Sequence, residues 1–309
     1  MSERYVIGLD GGGTKTIGVL YGDSEKELYR TYEGFANFSV DENLSLFNVK
    51  AAIHKVHEQI RSKGFELTIC IGVAGITKYT KINELITELE SKYNAKVIVV
   101  TDILIALYAI KKNRSENIIM AIGGTGSAVM AYNGVLRRFG GTGHLLGDEG
   151  SAYHLVIEAL KKIIYDEEHD SLTSFDKQLM MILGCKDSGD IIKFVYNRTK
   201  SEISSKAREI SKFALDGHKE AISLLKNEGK LLAEIVTNAY SRTSRGQKAV
   251  IALRGGFILN APYAKEQFFL EVKEKISNFE FEDSNYEPVV GTYYLAKERR
   301  EGNWYGSRY

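Results

Sequence analysis

The chain has 309 residues, of which 44% are hydrophobic, 26% charged and 10% aromatic, so it has the composition of a globular protein that can bury a large core. Its 41 Lys and Arg residues against 40 Asp and Glu residues give a formal net charge of +1, which removes any global electrostatic reason to bind nucleic acid or an anionic membrane. No apolar run approaches the roughly 20 residues of a membrane helix, and the opening residues MSERYVIGLD carry no secretory signal pattern, so we expect no membrane span. Two cysteines, Cys70 and Cys185, cannot form a disulfide framework, so we expect a protein of the reducing cytoplasm.

The first third of the chain predicts three short strands and then alternating helices and strands. The three strands are predicted over residues 4–9, 16–21 and 27–32, and the tight turns that join them suit antiparallel hairpins. Apolar residues recur at helical spacing over 40–63, up to Gly64, and again over 81–92. Continuous apolar runs predict buried strands over 67–73 and 96–100. This order predicts a mixed sheet with helices on both faces.

The same order of elements begins again at Asn117. A strand over 118–122 runs into a second glycine-rich turn, followed by a strand and a hairpin at Asn133-Gly134. A helical stretch over 151–242 is predicted to break at Gly184, Gly189 and Gly217, and a strand over 250–253, a helix, a short strand over 279–281 and a last helix from about 289 follow. The repetition predicts two related lobes with a cleft between them: residues 1–116 with a C-terminal helix of about 289–309, and the larger 117–288 with a helical insertion.

The first glycine-rich turn, DGGGTKT, joins two predicted strands. It is therefore neither a Walker A loop nor a dinucleotide-binding fingerprint, because both of those open a helix. Consecutive glycines lack the Cβ atoms that would keep a phosphate from the backbone N–H groups. Asp10, at the end of the first strand, is suited to hold hydrated Mg²⁺ beside such phosphates. A plain hairpin, in which Asp10 satisfies the amides of the turn, is the alternative.

Two further glycine-rich junctions follow strands. The turn GGTGS at 123–127 again joins strand to strand and adds hydroxyl groups, so two such loops would suit one polyphosphate. Gly255 and Gly256 follow the strand over 250–253 and offer a flat surface for a purine, although an ordinary strand-to-helix turn explains them almost as well.

Several polar side chains allow either a functional or a structural interpretation. Asp102 follows a buried strand, where it could act as a general base or where it or Thr101 could cap the next helix. Asn37 could bind a polyol or its own turn. The segment GHLLGDEGS before a helix offers groups that could bind a ligand or merely complement the helix N-terminus, namely His144, Asp148, Glu149 and Ser151.

Taken in order, the motifs DGGGTKT, GFAN, GVAG, VTD, GGTGS, GGTGH, GDEGSA and LRGGF resemble the N-acetylglucosamine kinase branch of the sugar kinase, heat-shock ATPase and actin superfamily, and the related BadF/BadG-type ATPases. The resemblance runs through nearly the whole chain to PVVG at 288–291, and GDEGSA is its most specific element. It implies an α/β protein of two ribonuclease-H-like, actin-like ATPase lobes with mixed sheets flanked by helices, which close on ATP-Mg and a sugar in an interlobe cleft.

The resemblance also implies roles for particular residues. Nucleotide binding falls on the two phosphate motifs and the adenosine motif: Asp10, Gly12, Gly13, Thr14, Lys15, Gly124, Thr125, Gly126, Ser127, Gly255 and Gly256, with Ala214 where some relatives touch the nucleotide. Sugar binding falls on Asn37, Asp102, Gly141, Thr142, His144, Asp148 and Ser151. Asp102 matches the catalytic carboxylate, and Asp10 would hold magnesium through water.

The implied activity is an ATP-dependent amino-sugar kinase. Asp102 would accept the proton of a sugar hydroxyl, O6, while the loops and Mg²⁺ neutralise the γ-phosphoryl charge. Thr142 stands where many amino-sugar kinases carry an aromatic residue. The smaller side chain would admit a larger sugar such as N-acetylmuramic acid besides N-acetylglucosamine. Arg254 is bulkier than the expected residue and would lie over the adenine or point elsewhere. A homodimer is expected, since dimers are common in related kinases.

Two other functions compete with the kinase. One is an activator ATPase of the 2-hydroxyacyl-CoA dehydratase or benzoyl-CoA reductase type, which holds an iron–sulfur cluster with cysteines of two subunits. Cys70 lies in a predicted buried strand and Cys185 in the helical insertion, so neither is placed for a shared cluster. The other is a non-catalytic sugar-sensing protein, which Asp102 disfavours.

Overall fold

A computed structural model describes residues 3–114, 116–284 and 286–300 of the chain. In chain order its strands are β1 (Arg4–Gly11), β2 (Thr16–Tyr21), β3 (Glu27–Glu33), β4 (Glu66–Val73), β5 (Lys96–Thr101), β6 (Asn117–Gly123), β7 (Ser127–Tyr132), β8 (Leu136–Phe139), β9 (Ala249–Arg254) and β10 (Phe279–Glu282). Its α-helices are α1 (Glu42–His57), α2 (Ile82–Tyr93), α3 (Asp102–Lys111), α4 (Ala152–Glu168), α5 (Ser174–Leu183), α6 (Ser188–Tyr196), α7 (Lys200–Ser205), α8 (Ala207–Leu215), α9 (Lys219–Thr243), α10 (Gly256–Asn260), α11 (Ala264–Lys275) and α12 (Val290–Arg300).

The chain divides into two compact units, one formed by Met1–Ser115 with Ser284–Tyr309 and the other by Glu116–Asp283. The first unit contains a five-stranded sheet in the order β3-β2-β1-β4-β5, in which β1, β4 and β5 run parallel and the two hairpins are antiparallel. The register pairs Gly11 with Val73 and Val73 with Thr101. The carboxyl ends of these three parallel strands therefore lie level at one edge of the sheet.

The second unit repeats this topology. Its sheet has the order β8-β7-β6-β9-β10, with β6-β7-β8 antiparallel and β6, β9 and β10 parallel. The predicted α/β class with two mixed sheets flanked by helices is thus confirmed. The helical insertion α4–α9 packs its apolar side chains into one core with this sheet.

Two close helix contacts require glycine. A Cβ atom on Gly229 in α9 would lie 2.1 Å from the carbonyl oxygen of Ala264 at the start of α11. A Cβ atom on Gly291 in α12 would lie 1.8 Å from the carbonyl oxygen of Ile105 in α3. Each helix pair therefore packs closer than any side chain would allow.

Two predicted helix boundaries are wrong. The helix expected over 40–63 is capped by Asp41, whose carboxylate accepts from the N–H of Leu44, and it ends at His57 because the chain leaves the helix through turns at residues 58–60. Gly189 does not break the insertion, because Asp187 caps α6 and Gly189 lies in its first turn. Gly184 and Gly217 do end helices, with φ of 72° and 92°. Over the described residues, no helix combines the length and apolarity needed to cross a bilayer.

Candidate active site

The first glycine turn lies at the carboxyl edge of the first sheet. The N–H of Gly12 donates to the carbonyl of Lys15 at 3.1 Å, which closes the turn between β1 and β2. The N–H of Ala36 donates to the carbonyl of Gly12 at 2.9 Å, so the GFAN segment supports the turn from behind. Thr14 and Lys15 are exposed, and the Lys15 ammonium lies 5.3 Å from the centre of the Tyr32 ring. One side of the turn is therefore bonded to the protein, and its other side is open to solvent.

Four glycines in the described part of the chain have open space where a side chain would be. None of them has a positive φ, and a Cβ atom would meet no protein atom nearer than 3.9 Å. All four belong to the predicted nucleotide-binding turns: Gly12, Gly13, Gly124 and Gly256. The space that a side chain would fill is open, as it must be if a ligand is to approach the backbone there.

Two carboxylates flank this edge of the first sheet. Asp10 lies near the end of β1 and Asp102 directly after β5, with β4 between them, which places their backbones roughly 10 Å apart. Burial, followed by repulsion from Asp102 and Glu287, raises the pKa of Asp10 to about 6, against the attraction of Lys15. Burial also raises the pKa of Asp102, although its carboxylate accepts hydrogen bonds from the N–H groups of Ile103 and of Asp102 itself.

Thr101, and not Asp102, caps helix α3. The Thr101 hydroxyl accepts from the N–H of Leu104 at 3.3 Å, and Asp102 is the first residue of the helix. Capping by the Asp102 side chain was the structural alternative to a catalytic role, and Thr101 takes that task. The Asp102 carboxylate therefore lies at the carboxyl edge of the sheet, where its own backbone partners are the N–H groups of Ile103 and Asp102 in the first turn of α3.

Asn37 lies in the loop after β3, and several contacts hold it there. It forms a bridge with Ala74 of the GVAG motif, its N–H donates to the Ser45 hydroxyl at 2.9 Å, and its Oδ1 accepts from the N–H of Ser39 at 3.0 Å. Its Nδ2 donates to no acceptor among the described residues. These contacts orient the carboxamide so that its nitrogen remains a donor for a ligand.

In the second unit, the glycine turn and the GDEGSA segment form one structure. The N–H of Ala152 donates to the carbonyl of Gly124 at 2.9 Å, and the N–H of Tyr153 donates to the carbonyl of Thr125 at 3.3 Å. The Ser127 hydroxyl donates to the carbonyl of Glu149 at 2.6 Å. The predicted phosphate turn and the predicted sugar-recognition segment are thus joined through backbone hydrogen bonds.

Asp148 has an unusual conformation next to the glycine turn. It is only 3% exposed and adopts φ of 69°, a left-handed conformation that is uncommon for residues other than glycine. Its Oδ2 accepts from the Lys200 ammonium at 2.5 Å. A Cβ atom on Gly126 would lie 2.6 Å from that oxygen and 2.7 Å from the Lys200 Nζ, so the ion pair lies directly on the turn.

A fully buried carboxylate supports the GDEGSA segment from below. Oε2 of Glu228 in α9 accepts from the N–H of Gly150 at 2.8 Å, and Oε1 lies 2.8 Å from Nδ1 of His154. Burial raises the pKa of Glu228, and the hydrogen bond to Glu228 raises the pKa of His154. The pair fixes the start of α4, where the Ser151 hydroxyl accepts from the His154 N–H at 3.2 Å.

A cavity of about 710 Å³ opens beside the second glycine turn, within the size range of small-molecule sites. Among the described residues, its lining combines small residues and hydroxyl groups with one aromatic ring, one carboxamide and one cation, and includes no carboxylate: Gly124, Thr125, Ala152, Ser201, Ser204, Ser205, Ala207, Arg208, Ser211, Gly256, Phe257, Asn260 and Ala261. A hydroxyl-rich and positively charged cavity suits an anionic ligand with a polar ring system.

Some predicted site residues do not line this cavity. Ala214 is fully buried in α8, and Ser127 is buried with its hydroxyl donating to the carbonyl of Glu149. Gly255 has φ of 103°, and its Cα lies close against the backbone of Gly123. Arg254 is half-buried, and its Nη1 donates to the carbonyl of Leu253. Ser127 and Gly255 therefore contribute to the packing around the second glycine turn.

The GGTGH segment lies on the surface of the second unit. Gly141 has φ of 63°, and the Thr142 hydroxyl donates to the carbonyl of Leu146 at 3.0 Å. The His144 ring contacts the Tyr153 ring edge to face, with their centres 5.0 Å apart. Leu145 is 83% exposed. The segment is therefore held by its own turn and by Tyr153.

Sequence reasoning missed several residues of the site. The cavity residues of α7 and α8 recur at positions 201, 204, 205, 208 and 211, which is the spacing of one helical face. This row of hydroxyl groups around Arg208 is the sequence feature that could have predicted the cavity. Lys200 and Glu228 carried no local signal, because their partners Asp148 and Gly150 are distant in sequence.

Comparison with known proteins identifies the family of this chain. The model of the BadF/BadG/BcrA/BcrD ATPase family matches residues 7–296, and the chain belongs to this family. It is 30% identical to the N-acetylmuramic acid/N-acetylglucosamine kinase of Clostridium acetobutylicum over 277 residues, which cover 86% of this chain and 89% of that protein. It is 26% identical to the N-acetyl-D-glucosamine kinase of Dictyostelium discoideum over 317 residues, which cover 96% and 98% of the two chains.

Two solved structures show the same fold. A putative N-acetylglucosamine kinase from Chromobacterium violaceum superposes with a TM-score of 0.64 at 20% identity, over 94% of this chain and 98% of that one. A ROK hexokinase from Thermus thermophilus superposes with a TM-score of 0.60 at 14% identity, over 93% and 96% of the two chains. The predicted resemblance to the N-acetylglucosamine kinases and the BadF/BadG-type ATPases, with their actin-like ATPase fold, is confirmed.

Proposed function

We propose that the protein is an ATP-dependent amino-sugar kinase that transfers the γ-phosphoryl group to O6 of N-acetylglucosamine, N-acetylmuramic acid or both. The observation that carries this proposal is the place of Asp102. It is a largely buried carboxylate at the carboxyl edge of the first sheet, level with the open glycine turn, and the N-cap of helix α3 is Thr101. The two kinases named above support the substrate class.

Asp102 is the general base in this proposal. It accepts the proton of the sugar hydroxyl as that oxygen attacks the γ-phosphorus, and the bond to the leaving ADP oxygen breaks. A pKa raised by burial suits this role, because a base works best when its pKa lies closer to the working pH.

We assign nucleotide binding to the glycine turns and to the cavity of the second unit. The Gly12–Lys15 turn and the Gly124–Gly126 turn would hold the phosphates, and the amides of Thr125 and Gly126 donate to no acceptor within the described residues. The cavity beside Gly256 would take the nucleoside, with serine hydroxyls and Asn260 as partners for the ribose and the base.

Magnesium bound with the nucleotide would supply charge neutralisation at the transferring phosphoryl group. Asp10 would hold it through water, and its carboxylate at an open glycine turn fits that task. The described residues contain no cluster of three or more His, Cys, Asp or Glu side chains able to hold an ion. A single carboxylate together with phosphate oxygens is a common arrangement for magnesium.

The sugar is assigned to oriented polar groups and to a short side chain. Asn37 would donate through Nδ2 and Asp148 would accept from ring hydroxyls, and one such contact can discriminate strongly between similar sugars. Gly141, His144 and Ser151 would frame the site. Thr142, which is small and turned onto Leu146, would leave room for the lactyl group of N-acetylmuramic acid.

The state of the two thiols argues against an iron–sulfur activator. Cys70 in β4 is completely buried, and Cys185 after α5 is buried as well. Burial raises the pKa of the Cys70 thiol to about 12 and also raises that of Cys185, so neither offers a ready thiolate to a cluster. Two reduced, buried thiols also fit the proposed cytoplasmic location. A colourless purified protein is expected, and light scattering would test the proposed homodimer.

The test is a coupled ATP-consumption screen with Mg²⁺ against N-acetylglucosamine, N-acetylmuramic acid, glucosamine, N-acetylmannosamine and glucose. We expect a strong rate with one or both of the first two sugars, and mass spectrometry and ³¹P NMR of the product should place the phosphate on O6. Asp102→Asn should abolish transfer and retain ATP binding, while Asp216→Asn, at an exposed position directly after α8, controls for the same chemical change. Sugar-independent ATP turnover, or normal transfer by Asp102→Asn, would refute the proposal.

A further inference from the structure

Lys200 is a cation on the second glycine turn for which the proposed reaction has so far named no task. Its Nζ donates to Oδ2 of Asp148 at 2.5 Å, and the same nitrogen would lie 2.7 Å from a Cβ atom on Gly126. An ammonium group has three N–H donors, and Asp148 is its only hydrogen-bond partner among the described residues. Two donors are thus left for a ligand at the turn.

The position of Lys200 is fixed by its surroundings. Thr199 caps helix α7 through a capping box with Glu202: each side chain accepts from the backbone N–H of the other. Ile203, one turn further along α7, is buried in the core. The backbone of Lys200 is therefore held in place, and Asp148, itself 3% exposed, holds the ammonium at the turn.

Lys200 also lies next to the cavity. The following residue, Ser201, lines the cavity together with Gly124 and Thr125 of the turn. Of the described residues that line the cavity, Arg208 alone carries a charged side chain. A nucleotide whose base occupies this cavity and whose phosphates lie on the turn would bring its anionic groups to the Lys200 ammonium.

We propose that Lys200 binds the polyphosphate of the nucleotide, with Asp148 as the counter-ion that holds the ammonium in place when the nucleotide is absent. This inference rests on the proposed function and deepens it. The ammonium adds a charge-assisted hydrogen bond to the phosphate that the turn binds through its backbone. Because the same ammonium contacts Asp148, Lys200 also links the phosphate turn to a carboxylate assigned to the sugar.

The test measures the binding of ATP, ADP and adenosine by calorimetry, with Mg²⁺ and without sugar. Lys200→Met keeps the length of the side chain and removes its charge. We expect this variant to weaken the affinity for ATP at least tenfold and to change the affinity for adenosine less than twofold. Lys200→Arg should recover most of the ATP affinity. Lys193→Met, on the exposed face of α6, makes the same chemical change away from the cavity and should bind as the wild type does.

Three results would overturn the inference. The first is an unchanged ATP affinity in Lys200→Met when the wild type binds ATP and phosphorylates the sugar, which would leave the proposed function intact. The second is an equal loss of ATP and adenosine affinity, which would mean that the substitution damages the cavity. The third is a wild-type protein that binds neither ATP nor adenosine, which would remove the proposed function together with the role of Lys200.

Discussion

Replacing Asp10 by Asn should stabilise the protein in the absence of magnesium while it impairs function. Asp10 is a largely buried carboxylate whose pKa is raised to about 6, first by burial and then by repulsion from Asp102 and Glu287. A folded-state pKa above the unfolded value means that the folded protein binds the proton more tightly. Ionising Asp10 therefore costs stability as the pH rises from about 4 to about 6, and the cost is complete above that range.

The magnitude follows from the two pKa values. The rise from the ordinary value of 3.8 to about 6 corresponds to about 3 kcal/mol, at about 1.4 kcal/mol per pKa unit. Asn has the shape of the protonated acid without its charge, so Asp10→Asn should raise the free energy of unfolding by up to about 3 kcal/mol at pH 7.5. For a unit of this size that equals roughly 6–12 °C in Tm. Below about pH 4 the gain should vanish.

The assay is thermal unfolding of wild type and variant from pH 4 to pH 8 in EDTA, followed by Mg²⁺-ATP binding of both. Asp190→Asn is the matched control, because the N–H of Lys186 and the Lys193 ammonium lower the pKa of Asp190. Removing that charge should lower stability at neutral pH. A destabilised Asp10→Asn, or a gain independent of pH, would refute the assigned cause, and undiminished Mg²⁺-ATP binding would remove Asp10 from the nucleotide site.

Three further outcomes are expected. Glu228→Ala should lower the free energy of unfolding in urea by about 3–5 kcal/mol, because it leaves the buried partners of this carboxylate without their acceptor. Glu228→Gln keeps an acceptor for the Gly150 N–H and should lower it by about 1 kcal/mol. Equal losses in the two variants would contradict the assigned hydrogen bond. Gly229→Ala places a Cβ atom 2.1 Å from the Ala264 carbonyl and should lower stability by about 3 kcal/mol, which an unchanged Tm would disprove. Cys70 should resist thiol reagents in the native protein and react after unfolding, and rapid native labelling would show that β4 opens.

The positions of the strands and of the turns between them were largely readable from the chain. Apolar runs of strand length and glycine-rich turns are local features, and the structure has strands where they were expected. The recurrence of the opening pattern at Asn117 also predicted the second unit, whose sheet repeats the strand order of the first. The misplaced end of α1 and the continuous helix through Gly189 were settled by caps and packing that periodicity does not encode.

The candidate site was only partly readable. The open glycines and Asp102 are marked by their place after buried strands, which is a local signal. The assignment of the helix cap to Thr101 needed coordinates, because Thr and Asp are both common capping residues. The burial of Ser127 and Ala214 likewise depends on which surfaces the helical insertion covers.

By itself the sequence determined the class of fold, the two sheets and the family, because buried strands, tight turns and ordered motifs are written in neighbouring residues. The tertiary structure decided which distant groups meet: Asp148 with Lys200 on Gly126, and Glu228 with Gly150. Lys200 is 52 positions from Asp148, so no periodic pattern in the sequence indicates this pair. Glu228, buried in the long helix α9, cannot be distinguished in the sequence from an ordinary polar residue. The spacing of hydrophobic residues indicates whether a residue is buried. Only the folded chain specifies which residues it packs against.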